Sequence, residues 1–207
     1  MKSSKILLGI LVVVIIIVVV SVVASNLEAP TIPSSGADTS SWKIYSNAQP
    51  SFSIKAPVDL VLSTSTIPTI DSPYLLALQF PKDAYFSTVL KDETYVIITA
   101  SSTCPTTMSG PIDKGPETLV LNGLTLTKND TSDAAAGNHY LTVTYDTNKN
   151  GLCYRVTFFD HGANGAGLYL SDPVAIKTAD ETYAVELAKI KAIVLDMVGT
   201  FSLPASQ

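Results

Sequence analysis

The sequence is poor in histidine, cysteine and positive charge, and each shortage narrows the range of functions. Two histidines and two cysteines occur among 207 residues, too few and too scattered for the clustered ligands of a zinc site. The 13 basic residues stand against 18 acidic ones, for a net charge of −5. The chain therefore lacks the basic face that nucleic-acid binding requires, and we expect no nucleic-acid partner.

Motifs that position catalytic groups are also missing. The Gly-x-Ser-x-Gly turn that presents a serine nucleophile does not occur. The glycines of residues 162–167 lack the lysine of a phosphate-binding loop, and they predict a flexible loop. The dipeptide Asp160-His161, together with a serine elsewhere or with His139, suggests a hydrolase site. We keep a hydrolase as the alternative function. The sequence thus predicts a protein that is not an enzyme.

One long apolar run sets the expected compartment. Residues 6–24 are uncharged and follow Lys2 and Lys5. As a helix rising ~1.5 Å per residue, the run is ~28 Å long, close to the ~30 Å hydrocarbon core of a bilayer. We predict one transmembrane helix within residues 1–25, with its N-terminus in the cytoplasm because of the two lysines. A signal peptide cleaved after Ala24, giving a secreted protein, is the alternative.

The rest of the chain divides into a linker and an outer domain. Residues 26–41 are rich in proline, serine and glycine and have no apolar period, which predicts a flexible linker. Residues 42–207 are numerous enough for one self-sufficient hydrophobic core outside the cytoplasm. Because this part is acidic, we expect it to stand off anionic lipid head groups.

The outer domain is rich in strand signals. Alternating or β-branched segments predict strands at residues 42–45, 52–55, 75–80, 95–100, 119–127, 139–145 and 152–159, and a short final strand at 200–203. Asn122-Gly123 lies between two apolar segments and predicts a tight hairpin. Asn150-Gly151 ends a second connection between strands.

One segment has helical periodicity. Asp180 and Glu181 place negative charge where a helix begins, and Gly199 is suited to its C-cap. The apolar stripe between them consists of Tyr183, Leu187, Ile190, Val194 and Met197. The expected fold class is α+β, an antiparallel β-sheet packed by a long C-terminal helix and preceded by the transmembrane helix.

Two segments of the outer domain resemble a known family. Tyr-Ser-Asn at 45–47 and Phe-Ser-Ile-Lys-Ala-Pro at 52–57 resemble the opening "YTNxxxGFSFKYPxxW" of small bacterial envelope proteins of the PsbP-like class. Residues 193–203 resemble the closing "ILSTFKF" of the same class. The resemblance implies a PsbP-like sandwich, an antiparallel sheet between helices. It assigns no catalytic residue and does not imply photosynthesis.

The two cysteines, Cys104 and Cys153, lie in the part expected outside the cytoplasm, where disulfides persist. We predict a structural disulfide between them. Two free thiols are the first alternative. A redox pair is the second, although such pairs usually have Cys-x-x-Cys spacing.

A possible calcium motif lies between the last two central strand segments. Asp146, Asn148 and Asn150, followed by Gly151, match the first half of an EF-hand-like loop. They offer three oxygen ligands, but position twelve of the loop is Thr157 rather than glutamate. A turn between strands accounts for the same residues. Calcium is therefore a weak hypothesis, and no other cofactor is predicted.

Three functional hypotheses follow. The first is a membrane-anchored extracytoplasmic binding or structural module of the cell envelope, held by residues 6–24 and contacting an envelope protein partner. The second is an extracytoplasmic hydrolase with a site near His161. The third is a calcium-stabilised adhesion or scaffold module.

Overall fold

Strands dominate the part of the chain that the structure describes. The structure is a computed structural model that describes residues 37–63, 73–86, 91–104, 112–135, 137–168 and 171–204. These residues belong to a unit spanning Ile32–Gln207. The strands are β1 (Lys43–Ala48), β2 (Ser51–Ala56), β3 (Val61–Leu62), β4 (Leu76–Gln79), β5 (Lys91–Ser101), β6 (Ile112–Leu121), β7 (Leu124–Ala135), β8 (Asn138–Lys149) and β9 (Leu152–Ala163). The helices are α1 (Lys82–Tyr85), α2 (Gly165–Leu168) and α3 (Pro173–Thr200).

The strands form two antiparallel sheets. Seven strands make one sheet in the order β3-β4-β5-β9-β8-β7-β6, and β1 and β2 form a separate hairpin. Neighbouring strands pair antiparallel throughout these sheets. The α+β prediction of an antiparallel sheet with a long C-terminal helix is confirmed, and each predicted strand segment before the helix overlaps an observed strand.

Two Asn-Gly turns set the register of the sheet's longest strands. Asn122 and Gly123 have φ angles of 49° and 74°, and Asn150 and Gly151 have 53° and 76°. Positive φ at both central residues is the backbone of the two-residue turns that match the twist of a hairpin. The hairpin predicted at Asn122-Gly123 is confirmed, with Leu121 opposite Leu124.

Helix α3 begins earlier than predicted. Asp172 is its N-cap and accepts hydrogen bonds from the backbone N–H groups of Val174 and Ala175, both at 3.0 Å. Pro173 occupies the first turn, where its missing N–H costs nothing. The start predicted at Asp180 was wrong because this Asp-Pro signal lies seven residues upstream.

The end of α3 also differs from the prediction. Gly199 lies inside the helix, and Phe201 is the C-cap, with its N–H donating to the carbonyl of Val198. Phe201 is fully buried and packs against Phe52, with ring centroids 5.9 Å apart. Burying this ring directs the chain out of the helix. The predicted final strand is reduced to an isolated bridge between Ser53 and Ser202.

Helix α3 and the β1–β2 hairpin share one hydrophobic core with a face of the large sheet. The helix contributes Tyr183, Ile190, Val194, Met197 and Val198. The sheet contributes alternate residues of its strands, including Val96, Ile98, Leu126, Leu141, Val143, Tyr145, Val156 and Phe158. A smaller buried cluster of Ala77, Tyr95, Ile97 and Phe159 lies on the opposite sheet face, because successive strand residues point to opposite sides. The apolar stripe predicted for the helix is the face that packs on the sheet.

The glycine-rich stretch after β9 is more ordered than predicted. Strand β9 continues to Ala163 and α2 follows at Gly165, so the prediction of a flexible loop was wrong. A Cβ on Gly165 would lie 2.7 Å from the carbonyl oxygen of Ile176. The Gly165 N–H donates to a carboxylate oxygen of Asp180 at 2.7 Å. Glycine therefore allows α2 to approach α3 closely, and Asp180 serves this contact rather than the start of the helix.

The predicted transmembrane helix and most of the predicted linker lie outside the described residues. Within the described ranges, no helix combines the length and the apolar character needed to cross a bilayer.

Candidate functional site

A cavity of about 240 Å³ lies between α3 and strands β7, β8 and β9. Its apolar walls are formed by Val143 and Phe158 of the sheet and by Ala192, Val194 and Leu195 of the helix. The sheet residues point inward because they occupy alternate positions on neighbouring strands. The small side chain of Ala192 leaves space for the cavity on the helix side. The cavity has the mixed lining of a small-molecule site, mostly apolar with a few polar groups.

Charged side chains of β7 line the same cavity. The Lys128 ammonium lies 3.0 Å from Asp130 and 3.7 Å from Glu117 of the adjacent strand β6. Lys128 and Asp130 line the cavity from the sheet, and Lys191 lines it from the helix. The site therefore offers both signs of charge beside an apolar pocket.

Tyr145 adds a phenol group to the lining of the cavity. Burial raises the pKa of Tyr145 well above its usual range, and the nearby carboxylates of Asp130 and Glu117 raise it further. The phenol therefore stays protonated and neutral at physiological pH. With Lys128 and Asp130, it can bind the polar end of a molecule whose apolar part fills the cavity.

Sequence reasoning missed this site, although the chain contains a signal for it. Leu124, Leu126, Lys128 and Asp130 occupy alternate positions of β7, so all four face the same side of the sheet. Charged groups that follow leucines on a core-facing side are unusual, because burying a charge is costly unless it is paired. The missing information was the packing of α3, which decides that this side is covered.

A second group of polar side chains lies between the sheet and α3, and it includes the buried residues Thr94, Asp160 and Tyr183. The Asp160 carboxylate is 0% exposed and accepts hydrogen bonds from the Thr94 hydroxyl at 2.5 Å and from the Tyr183 phenol. The His139 ring packs on Tyr183, with centroids 4.3 Å apart. Burial raises the pKa of Tyr183, and the negative charge of Asp160 adds to the effect. The cluster connects strands β5, β8 and β9 to α3.

His139 makes this cluster sensitive to pH. Its Nε2 atom is buried and has no hydrogen-bond partner among the described residues. Burial lowers the pKa of His139, which outweighs the opposing charges of Asp160 and Asp180, and His161 adds a smaller lowering effect. The folded protein therefore favours neutral His139 more strongly than the unfolded chain does.

We expect the free energy of unfolding to fall as pH drops below 6.5, the ordinary histidine pKa, because protons then bind the unfolded chain preferentially. The loss is complete once the pH is below the folded-state pKa. Denaturation of the wild type and of His139→Gln, at several pH values between about 8 and about 5, measures how much of this loss of stability depends on His139. His161→Gln is the matched control. Equal pH dependence in the wild type and His139→Gln would contradict the assignment.

The side chains of Asp160 and His161, on which the hydrolase alternative depends, point in opposite directions. Asp160 and His161 are consecutive in β9, so their side chains lie on opposite faces of the sheet. The His161 ring stacks on Tyr140, with centroids 4.6 Å apart and an interplanar angle of 1°. Asp160 instead accepts hydrogen bonds from Thr94 and Tyr183 on the face covered by α3, where the His139 ring packs on Tyr183. The dipeptide does not form a joint catalytic pair.

The calcium candidates occupy a strand end and a turn rather than a loop. Asp146 and Asn148 belong to β8, and Asn150 lies in the tight turn that follows. Both Asp146 carboxylate oxygens accept hydrogen bonds from the Arg155 guanidinium, at 2.6 and 2.7 Å. Asn148 Oδ1 lies 3.7 Å from Sγ of Cys104. Calcium binding stays a prediction, and it requires Asp146 to release Arg155.

Cys104 and Cys153 are joined by a disulfide, with their Cα atoms 5.1 Å apart. Cys104 follows the end of β5, and Cys153 lies opposite Ser101 near the start of β9. The central strands β5 and β9 thus bring the cysteines together. The predicted disulfide is present in the structure.

Comparison with known proteins adds no functional residue. A scan against protein-family models finds no match to the chain, and a search of curated proteins finds no similar sequence. The functional argument therefore depends on the geometry of this domain.

Proposed function

We propose that the outer domain, residues 42–207, is a non-catalytic binding module of the cell envelope, attached to the membrane by residues 6–24. Its ligand site is the cavity between α3 and the sheet. The observation that carries the proposal is the combination of an apolar cavity of about 240 Å³ with Lys128, Asp130 and Tyr145 in its lining. We also propose, from the resemblance of residues 45–57 and 193–203, that the domain is PsbP-like.

The geometry favours a small amphipathic ligand. Val143, Phe158 and Leu195 provide an apolar surface. Displacing water from this surface favours the binding of the apolar part of a ligand. The Lys128–Asp130 pair presents a donor and an acceptor side by side, 3.0 Å apart. A ligand with an apolar body and a polar end that both donates and accepts hydrogen bonds satisfies both parts of the lining.

Binding is favoured over hydrolysis by the location of the buried carboxylate. Asp160 and His139 are the acid and imidazole that the fold brings near each other, around Tyr183. Asp160 is completely buried, so its carboxylate is inaccessible to substrate in this state. The cluster supports the attachment of α3 to the sheet.

Filling the cavity tests the proposal. We expect Ala192→Phe to weaken ligand retention by about tenfold or more, equivalent to ~1.4 kcal/mol, because the new ring occupies the ligand's space. Ala188→Phe is the matched control, since Ala188 is exposed on the same helix. The full-length variants are purified gently from cells, and the small molecules they retain are identified by mass spectrometry. If all variants retain the same molecules, or none, the cavity is not the ligand site.

A further inference from the structure

Among the described residues that line the cavity, hydrogen-bond donors outnumber acceptors. Lys128 and Lys191 bring two ammonium groups, Tyr145 brings a phenol, and Asp130 brings a carboxylate. An ammonium group only donates hydrogen bonds, and an ionised carboxylate only accepts them. Burial and nearby carboxylates raise the pKa of Tyr145, so its hydroxyl keeps the proton that it can donate. A ligand that matches this lining needs a polar end that accepts hydrogen bonds.

Asp130, the carboxylate of the lining, is engaged by the protein itself. The Lys128 ammonium lies 3.0 Å from one Asp130 oxygen and 3.1 Å from the other. These two side chains are largely buried, so salt screens their attraction only weakly. A cationic ligand would have to compete with Lys128 for Asp130 and would also meet the ammonium of Lys191. The arrangement therefore disfavours a positive charge in the cavity.

The Tyr145 hydroxyl offers a donor to a ligand. Tyr145 is buried, and no hydrogen bond to another described residue uses its hydroxyl. A buried polar group without a partner is costly, so an acceptor that enters the cavity relieves this cost. Hydrogen bonds to an ionised acceptor are roughly twice as strong as those between neutral groups. An anionic acceptor therefore gains the most from this phenol.

The volume of the cavity limits the size of the ligand. About 240 Å³ equals the liquid volume of about eight water molecules. That space suits a molecule of roughly ten non-hydrogen atoms better than a long lipid chain. The apolar walls, which include the ring of Phe158, fit an aliphatic or aromatic body.

We infer that the cavity binds a small monocarboxylic acid with an apolar body, whose carboxylate accepts hydrogen bonds from Tyr145 and Lys191. One negative charge balances a lining with two ammonium groups and one carboxylate. Glu117, which is not among the lining residues, also approaches Lys128 at 3.7 Å, so the helix lysine is the better partner for a ligand anion. This ligand class rests on the proposed function, because it is assigned to the same cavity.

Three probes with the same apolar body test the charge of the ligand. They are 3-phenylpropanoate, 3-phenylpropanamide and 3-phenylpropylamine, which are anionic, neutral and cationic near neutral pH. Each probe is titrated into the full chain in detergent, binding is measured by calorimetry, and a titration into detergent alone is subtracted. We expect the acid to bind about tenfold more tightly than the amide, and the amine to bind most weakly.

Two substitutions test the donors. Lys191→Gln and Tyr145→Phe should each weaken binding of the acid by about tenfold. Lys191→Gln should leave the affinity for the amide nearly unchanged, a difference that a merely structural role of Lys191 would not produce. Lys189→Gln is the matched control, because it removes the same charge from an exposed position of the same helix.

The outcomes separate this ligand class from the proposed site. If the amide or the amine binds as tightly as the acid, and Ala192→Phe abolishes that binding, the carboxylate assignment is wrong and the cavity remains the ligand site. Equal effects of Lys191→Gln and Lys189→Gln on the acid also overturn the assignment. If the acid binds the wild type and Ala192→Phe alike, both the assignment and the proposed site fail. If no probe binds, the assignment fails, and the molecules retained by the full-length variants decide the proposed site.

Discussion

Replacing Cys104 and Cys153 together by serine is expected to lower the free energy of unfolding by about 4 kcal/mol. The two cysteines are 49 residues apart in sequence, and a crosslink over that distance removes much of the freedom of the unfolded chain. The enclosed segment contains β6, β7 and β8, which include the sheet residues Lys128, Asp130 and Tyr145 of the cavity. A loss of this size is a large part of the ~5–15 kcal/mol that stabilises an ordinary domain.

Denaturant titration of the wild type and the double serine variant, each with and without reductant, measures the effect. Reductant should lower the stability of the wild type to that of the variant and leave the variant unchanged. Since the described residues include no free cysteine, the comparison is not complicated by other thiols there. A wild type whose midpoint is unaffected by full reduction would show that the disulfide contributes little.

Tyr183→Phe is expected to destabilise the domain by about 2 kcal/mol or more. The substitution removes the phenol that donates to Asp160, while the Thr94 hydroxyl still donates to the fully buried carboxylate. A buried acceptor that loses its partner is costly because no water replaces the hydrogen bond. The ring itself is retained, so its packing on Phe86 and His139 changes little.

The matched control is Tyr85→Phe. Tyr85 also donates to an aspartate, Asp59, but this pair is exposed, so its loss should change stability by no more than ~0.5 kcal/mol. Adding Asp160→Leu to Tyr183→Phe should recover part of the loss, because the unpaired buried acceptor is then removed as well. Equal effects of Tyr183→Phe and Tyr85→Phe, measured by denaturant titration, would contradict a stabilising role for the buried cluster.

Much of the fold was predictable because it depends on local patterns. Asn122-Gly123 marks a hairpin wherever two apolar strands flank it, and the turn has the expected positive φ angles. The stripe from Tyr183 to Met197 identifies the helix face that packs on the sheet. The helix boundaries were predicted less well. Asp172 and Pro173 were overlooked at the start, and the burial of Phe201 decided the end.

The functional residues were harder to predict because they depend on which side chains share a face. The prediction ended β9 at residue 159, which left Asp160 and His161 outside the strand. The strand continues to Ala163, so the two side chains point to opposite faces. Leu141 lies opposite Asp160, and His139 lies opposite Gly162, which brings His139 to the Asp160 side. A strand that is four residues longer therefore changes the partner of the carboxylate.

The sequence by itself determined the strand-rich α+β class, the two Asn-Gly turns, the apolar face of α3 and a cysteine pair suited to a disulfide. Each of these follows from spacing within a short segment or from residue type. Only the tertiary structure decided that Ala192 of α3 faces Lys128 and Asp130 of β7 across a cavity, and that Asp160 meets Tyr183. These contacts join residues distant in sequence, and they depend on sheet register and on where the helix packs, which no local pattern specifies.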